Sequence, residues 1–347
     1  MRPKRILPSS GHGGHLRRVR ARRRLGRDVR TPGCAASAIQ RDLRGAGAGR
    51  YVERADDTAR ILDAYLHRIL EDPWSDEEGA RSSLLAILGI EIDGEERVDT
   101  DLALRRLAFD EANSSAIAGA LLSARTNARG AREVVSSEMW ECLNVTWHAL
   151  PQQRRAADRL GPHAYLRFVR ERAALFFGLA DSTMSQDDGW RFLVLGRSLE
   201  RVDMTARLLS VRVLDASHAP DWTMLLRASG ADESFLRTHG GSGDAARIAE
   251  FLLLDRLFPR SALHALATAE QCLVELGPDP GRAGVPDPAR RPIGQVRTRL
   301  DYAETDRLLS QLPTLLVDLQ DACLLSSQAI ATRFFQYAPP VAWALER

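Results

Sequence analysis

One fourteen-residue segment is written twice in this chain. GRYVERADDTARIL occupies residues 49–62 and GRSLERVDMTARLL residues 196–209, with nine of the fourteen positions identical at an offset of 147. The matches include Arg50/Arg197, Glu53/Glu200, Arg54/Arg201, Asp56/Asp203 and Arg60/Arg207. At helical periodicity Val52, Ala55, Ala59, Leu62 and Leu66 fall on one arc, with Arg50, Glu53, Asp56, Asp57 and Arg60 roughly opposite. Leu199, Val202, Ala206, Leu209 and Val213 repeat the apolar arc in the second copy, and Arg197, Glu200, Asp203 and Arg207 the charged one. The fold must therefore place two copies of one amphipathic, charge-striped helix.

The stripes admit two readings. As exposed faces, their i,i+3 and i,i+4 ion pairs contribute only about 0.2–0.5 kcal/mol each. Alternatively the stripes face each other across a pseudo-twofold axis, the arginines of one helix bonding the acids of the other. A free surface tolerates Lys for Arg and Glu for Asp, so the identities favour an internal network or an anion site. Arg50, Arg54, Arg197 and Arg201 are the candidate anion ligands, since guanidinium forks bind carboxylate or phosphate in bidentate fashion.

The remaining chain reads as helices separated by breakers. The first repeated helix is expected to run from Gly49 to Glu71, ended by Asp72-Pro73, and residues 75–88 carry a helix-start signal running into an apolar segment. Residues 99–110 read as a short helix, followed by a helix from Ser115 to Ser136 with Asn113 or Ser114 as cap. On it Arg125, Arg129 and Arg132 form a basic stripe with Asn127 alongside, set against an acidic patch, a bound anion or plain solvent. The next helix, capped by Ser136 or Ser137, carries Glu138 and Trp140, the latter read as a core residue rather than a ligand platform. A turn is expected after Pro151 and a helix over 164–179; Ser185 with Asp188 reads as the cap of the second repeated helix, which runs to about Leu214. Loops are expected near 215–224, 239–244 and 277–294, the last with five prolines and four glycines in eighteen residues. Helical runs follow at 225–238, 245–257, 261–276, 295–309 and 314–336. No segment alternates as a strand does, so the fold class is all-α: a multi-helix bundle with two pseudo-repeated ER helices.

Charge is unevenly placed. Net charge is +2, yet residues 1–48 carry twelve Arg, Lys4 and two Asp, which leaves the body acidic. Lys4 is the only lysine. This Arg-rich start reads as a disordered or misassigned extension, with 49–347 as a single helical domain. The second copy is preceded by Trp190, Phe192, Leu193, Val194 and Leu195, whereas the first has only Leu43 to Ala48, whose glycines each cost a helix about 1 kcal/mol. Nucleic-acid binding through this arm is the weaker alternative, because no aromatic interleaving or groove-reading motif accompanies the arginines. Four widely spaced cysteines, Cys34, Cys142, Cys272 and Cys323, suggest neither zinc site nor disulfide framework, which fits a reducing cytoplasm. No apolar run is long enough for a membrane span.

Catalytic signatures are absent from the sequence: no P-loop, GxGxxG, HExxH, GxSxG or Glu-x-x-His pair occurs. No metal and no cofactor is expected. The arginines beside Glu53 and Glu200 would keep both ionised, which favours structural pairing over proton transfer.

The two GR-x-x-ER-A/V-D-x-T-A-R-type helices resemble the Alpha-E family, bacterial helical proteins named for a Glu-Arg motif. Residues 113–144, 187–197 and 251–261 extend the resemblance over most of 49–340. It implies an all-helical protein of unestablished activity whose genes tend to sit beside those of ATP-grasp ligase-like and transglutaminase-like proteins, which makes such a protein the expected partner. It assigns no catalytic residue. The expected function is thus a non-catalytic accessory or scaffold protein in an ATP-grasp-type peptide ligase or peptide-modification system, with room for an anionic small molecule or peptide. An enzyme acting on an amide-like bond in the same cleft is the alternative.

Overall fold

A computed structural model describes residues 32–71, 100–214, 222–241, 243–277 and 287–335, together with Leu84, Leu85, Ile87 and Gly284. Every regular element among them is helical. In chain order these are α1 (Pro32–Glu71), α2 (Thr100–Leu104, continued by a π turn over Arg105–Phe109), α3 (Ile117–Gly130), α4 (Ser137–Leu160), α5 (His163–Thr183), α6 (Asp188–Leu214), α7 (Trp222–Ala228), α8 (Asp232–His239), α9 (Ala245–Leu254), α10 (Ala262–Leu276), α11 (Arg290–Asp301) and α12 (Thr305–Phe335). The expected all-α architecture holds. The expected helix over 75–88 falls mostly outside the described residues, as do residues 1–31 of the basic arm and 215–221 of one connector.

The two repeated segments lie on the central pair, α1 and α6, which pack on each other more extensively than any other two helices. Around α1 sit α3, α5 and α7, while α10 and α12 lie on α6. Two apolar clusters follow. One joins Val52, Ala128, Met139, Phe176 and Leu193; the larger joins the later half of α1 to α6, α7, α9, α10, α11 and α12. Burial of leucine- and phenylalanine-sized side chains here contributes about 1.5–3 kcal/mol each.

The α1–α6 approach depends on two glycines. A Cβ on Gly49 would stand 2.4 Å from the Leu193 carbonyl oxygen, and one on Gly196 would stand 2.1 Å from that of Ala46. The two contacts exchange under the same offset of 147 that relates the sequence copies. Here the helix starts at Pro32 rather than Gly49, so Gly45, Gly47 and Gly49 lie within it. At Gly49 the entropic cost is offset by a backbone approach that a larger residue forbids, while a Cβ on Gly47 would meet the Asn127 side chain at 2.9 Å.

Several boundaries move for local reasons. Pro151 does not end α4 and Pro313 does not end a helix either; both lie within one. The break among the last helices falls instead at Tyr302–Glu304. Pro151 and Trp147, the residue four earlier whose carbonyl loses its helical donor, both line a side cavity of about 320 Å³. Helix α3 is shorter than expected and starts after Ala116, which has no side-chain cap; Asn113 Oδ1 instead accepts from the Ser115 amide. Ser136 does cap α4, accepting from the Met139 amide. At the start of α6 Asp187, not Ser185, accepts from the Gly189 amide. The proline-rich loop ends sooner than expected, at the start of α11. Gly161, at φ 90°, turns α4 into α5 with a backbone that L side chains rarely adopt.

Candidate functional site: a buried guanidinium–carboxylate centre

Both copies of the charged stripe are buried at the α1–α6 contact. Glu53 and Glu200 are 0% exposed, and Asp56, Asp57 and Asp203 are buried with them. Their partners are crossed. Arg54 donates through Nε to Glu200 Oε1 (2.5 Å) and through Nη2 to Oε2 (3.0 Å), and Arg50 Nε adds a third bond at 2.6 Å. In the other direction Arg201 Nε donates to Glu53 Oε1 (2.6 Å) and Nη2 approaches Oε2 (3.3 Å). The outer members close within each helix, Arg60 Nε on Asp56 Oδ2 (3.0 Å) and Arg207 Nε on Asp203 Oδ2 (2.9 Å).

The crossing is not complete. Arg50 reaches Glu200, but its counterpart Arg197 bonds no carboxylate among the described residues, and its Nε is a buried donor without an acceptor there. The guanidinium lies over the Phe177 ring instead, 4.8 Å from the centroid. The second place on Glu53 is taken by Arg260, from the α9–α10 connection. Arg260 also donates to Asp56 and Asp57, so one guanidinium spans three acids. Arg201 Nη1 donates to the Pro259 carbonyl (3.2 Å), which fixes that connection to α6.

Electrostatics separates these acids. Burial works to raise the Glu53 carboxyl, but Arg260 and Arg201 outweigh it and hold the group below its ordinary value. Burial likewise opposes ionisation of Glu200, and Arg54 with Arg50 overcomes it. Asp57 goes the other way: burial, with Glu53 and Asp56 adding like charge against the pull of Arg260, pushes it up to about 8. Asp57 Oδ2 and Asp56 Oδ1 are buried without a hydrogen-bond partner among the described residues. Burial, and then the neighbouring Arg201, lowers the Arg197 guanidinium.

The secondary candidates make other contacts. Arg125 donates through Nε and Nη2 to Asn144 Oδ1 at 3.0 and 2.9 Å. Arg125 and Arg132 lie over Trp140, at 5.7 and 4.4 Å from the ring, so the stripe encloses an aromatic side chain rather than an acid. Arg132 falls beyond the end of α3, Asn127 donates to the Ser123 carbonyl, and Arg129 and Glu138 are exposed.

Among the described residues two groups have metal-ligand geometry. Glu53, Asp56 and Asp57 bring carboxylate oxygens together, but Arg260 already supplies the positive charge a cation would bring. Asp63, His67 and His163 converge between α1 and α5, where Asp63 accepts from Arg170 Nη1 (2.9 Å) and pairs with His163 Nδ1 (2.9 Å). The sequence reading had passed over Arg260, Phe177 and this second group. Arg260 lies within the segment 251–261 already singled out, the one signal that pointed to it.

A family model named Alpha-E, described as "a predicted alpha-helical domain with a conserved ER motif", matches residues 48–335. An uncharacterised protein of Mycobacterium bovis is 27% identical over 292 residues, which is 75% of this chain and 32% of that protein. Two uncharacterised Mycobacterium tuberculosis proteins match over the same span, at 27% and 26% identity. The chain thus spans about a third of the length of the curated relatives it matches. No solved structure matches the chain. Among the described residues no helix is long and apolar enough to cross a membrane.

Proposed function

This chain belongs to the Alpha-E family, and we propose that it serves as a non-catalytic helical accessory module, its two ER helices joined in a pseudo-twofold lock that presents a fixed surface to a partner enzyme. The observation that carries this reading is the state of Glu53 and Glu200. Each is fully buried, bonded by two arginines and held ionised. A carboxylate so engaged is a poor general base, since taking a proton would mean giving up its guanidinium bonds. The centre is built to hold α1 against α6, not to move protons.

The partner class follows from the family resemblance: an ATP-grasp ligase-like or transglutaminase-like protein acting on a peptide in the cytoplasm. Support comes from the relatives, in which the matched region is about a third of a longer protein and so is covalently joined to other sequence. A module that works beside another domain suits such an arrangement.

The test is co-purification from the native cell with mass spectrometry of the bound protein, alongside turnover assays of the isolated chain on amide and peptide substrates. Recovery of an ATP-dependent ligase, with no turnover by the chain alone, supports the module. Turnover by the isolated chain would replace this reading with the enzyme.

A further inference from the structure

Asp63, His67 and His163 take no part in the buried centre between α1 and α6, and their donor atoms suit a metal. Asp63 and His67 stand four apart on α1 and share one of its faces; His163 and Arg170, seven apart, share a face of α5, which packs against α1. One carboxylate oxygen and one nitrogen from each imidazole all lie within 4.8 Å of one another. Asp63 Oδ1 is 2.9 Å from His163 Nδ1 and 3.7 Å from His67 Nδ1, and the two rings meet edge to face with centroids 4.7 Å apart. Around a tetrahedral ion bound at about 2.0–2.2 Å, neighbouring ligand atoms stand about 3.3 Å apart. The two oxygen–nitrogen separations fall on either side of that value.

Arg170 orients the carboxylate without occupying its metal side. Its Nη1 donates to Asp63 Oδ2 (2.9 Å), which leaves Oδ1 turned toward the imidazoles. Outer bonds of this kind fix ligating carboxylates in metal sites. Arg260 differs, since it bonds all three acids of its own group from a buried position. Arg170 touches one oxygen and its side chain is 36% exposed, so solvent screens it from a cation on the other oxygen. A plain hydrogen-bonded tie between α1 and α5 needs only Asp63, His163 and Arg170. His67 makes no hydrogen bond to α5 among the described residues; its Nδ1 faces the Asp63 carbonyl of its own helix (2.8 Å), a contact that water can take over at this half-exposed side chain. The second imidazole is therefore accounted for by an ion and not by the tie.

We propose that Asp63 Oδ1, His67 and His163 bind a first-row divalent transition metal of the zinc or cobalt kind, which clamps α1 to the start of α5. Two imidazoles with one carboxylate favour such ions over magnesium or calcium, which take oxygen ligands. Three protein ligands leave a further coordination place to water or to a group from outside the chain. The metal goes beyond the accessory role, and its binding is measured on the purified chain without any partner, so failure of one leaves the other standing.

Cobalt(II) is titrated into the untagged full chain carrying His12→Ala and His15→Ala, which removes the one pair of histidines close in sequence. Saturation at one ion per chain is expected, with visible absorption of a nitrogen–oxygen site and no thiolate charge-transfer band. Zinc(II) should displace the cobalt and magnesium(II) should not. Added to this background, His67→Ala and His163→Ala should each weaken cobalt binding at least about tenfold, with circular dichroism reporting that the variants fold. Should His163→Ala lose its fold with its bond to Asp63, His67→Ala carries the test, because that side chain hydrogen-bonds only its own helix among the described residues. No saturable uptake of cobalt, a thiolate band, displacement by magnesium, or undiminished affinity in a folded histidine variant would each overturn the proposal.

Discussion

Arg260 donates to Asp57 across 203 residues of chain, yet that contact does not suffice to keep the aspartate ionised near neutral pH. Burial and the neighbouring Glu53 and Asp56 raise it to about 8 from an ordinary 3.8. The folded chain therefore holds a proton between about pH 4 and 8 that the unfolded chain has released. Stability should fall as pH rises through that window, by at most about 1.4 kcal/mol per unit, and level off above it. Asp57→Asn, which keeps an acceptor for Arg260, should flatten this slope and be the more stable protein at pH 8. Urea unfolding from pH 5 to 9 measures both; equal slopes in the two proteins would remove Asp57 as the cause.

The opposite limb belongs to Glu53 and Glu200. Both are held below 4.5 in the folded chain, so their contribution is present above that value and is lost as pH falls through the depressed range. Glu53→Ala or Glu200→Ala leaves buried arginines without their carboxylate, and each should cost about 3–5 kcal/mol at neutral pH. The double variant should unfold at a far lower temperature than the native chain. An unchanged melting temperature would mean that the crossed bonds hold nothing together.

Removing Arg260 should expose how much of the acidic triad rests on it. Arg260→Met is expected to destabilise by about 3–5 kcal/mol at pH 8, and by less at pH 5.5, where the freed acids take up protons. Adding Asp57→Asn should recover part of that loss, since the amide is neutral at pH 8 without the proton that Asp57, raised further once Arg260 is gone, has to take up. Coupling between such neighbours is typically about 0.5–3 kcal/mol in a double-mutant cycle. Strict additivity would show that the two side chains do not interact.

Glycines on different helices should respond with opposite signs. A Cβ on Gly178, within α5, meets nothing within 4 Å, so Gly178→Ala should gain about 0.5–1 kcal/mol from helix propensity. Gly196→Ala drives a methyl into the Ala46 carbonyl and should cost about 1–3 kcal/mol. Thermal denaturation of the two variants decides it.

The all-helical class and the crossed pairing were legible because charge and apolar arcs recur at a fixed offset, and a repeat of both arcs is hard to explain by a wet surface. Arg260 was hidden for a different reason: it comes from a connection with no periodicity, and nothing in a list of residues tells which loop closes over a helix. Asp57 has no acidic counterpart, since the second copy has Met204 there, and that difference marks where the centre loses its symmetry. The start of α1 was misplaced because Gly45, Gly47 and Gly49 were weighed by intrinsic propensity, while their value lies in tertiary contact. A turn was expected after Pro151 and a break between residues 309 and 314, since a local rule carries no information about which helix hydrogen bonds can be forgone.

The glycine contacts at Gly49 and Gly196 have a mechanical result. Each seats a peptide carbonyl of the opposite helix in a gap one methyl group wide, and a slide of α1 along α6 by a single residue, about 1.5 Å, would jam a side chain against that backbone. Piston-like shear between the two rods is thereby blocked. Any larger shape change must then travel as a swing of the outer helices about an unmoving spine.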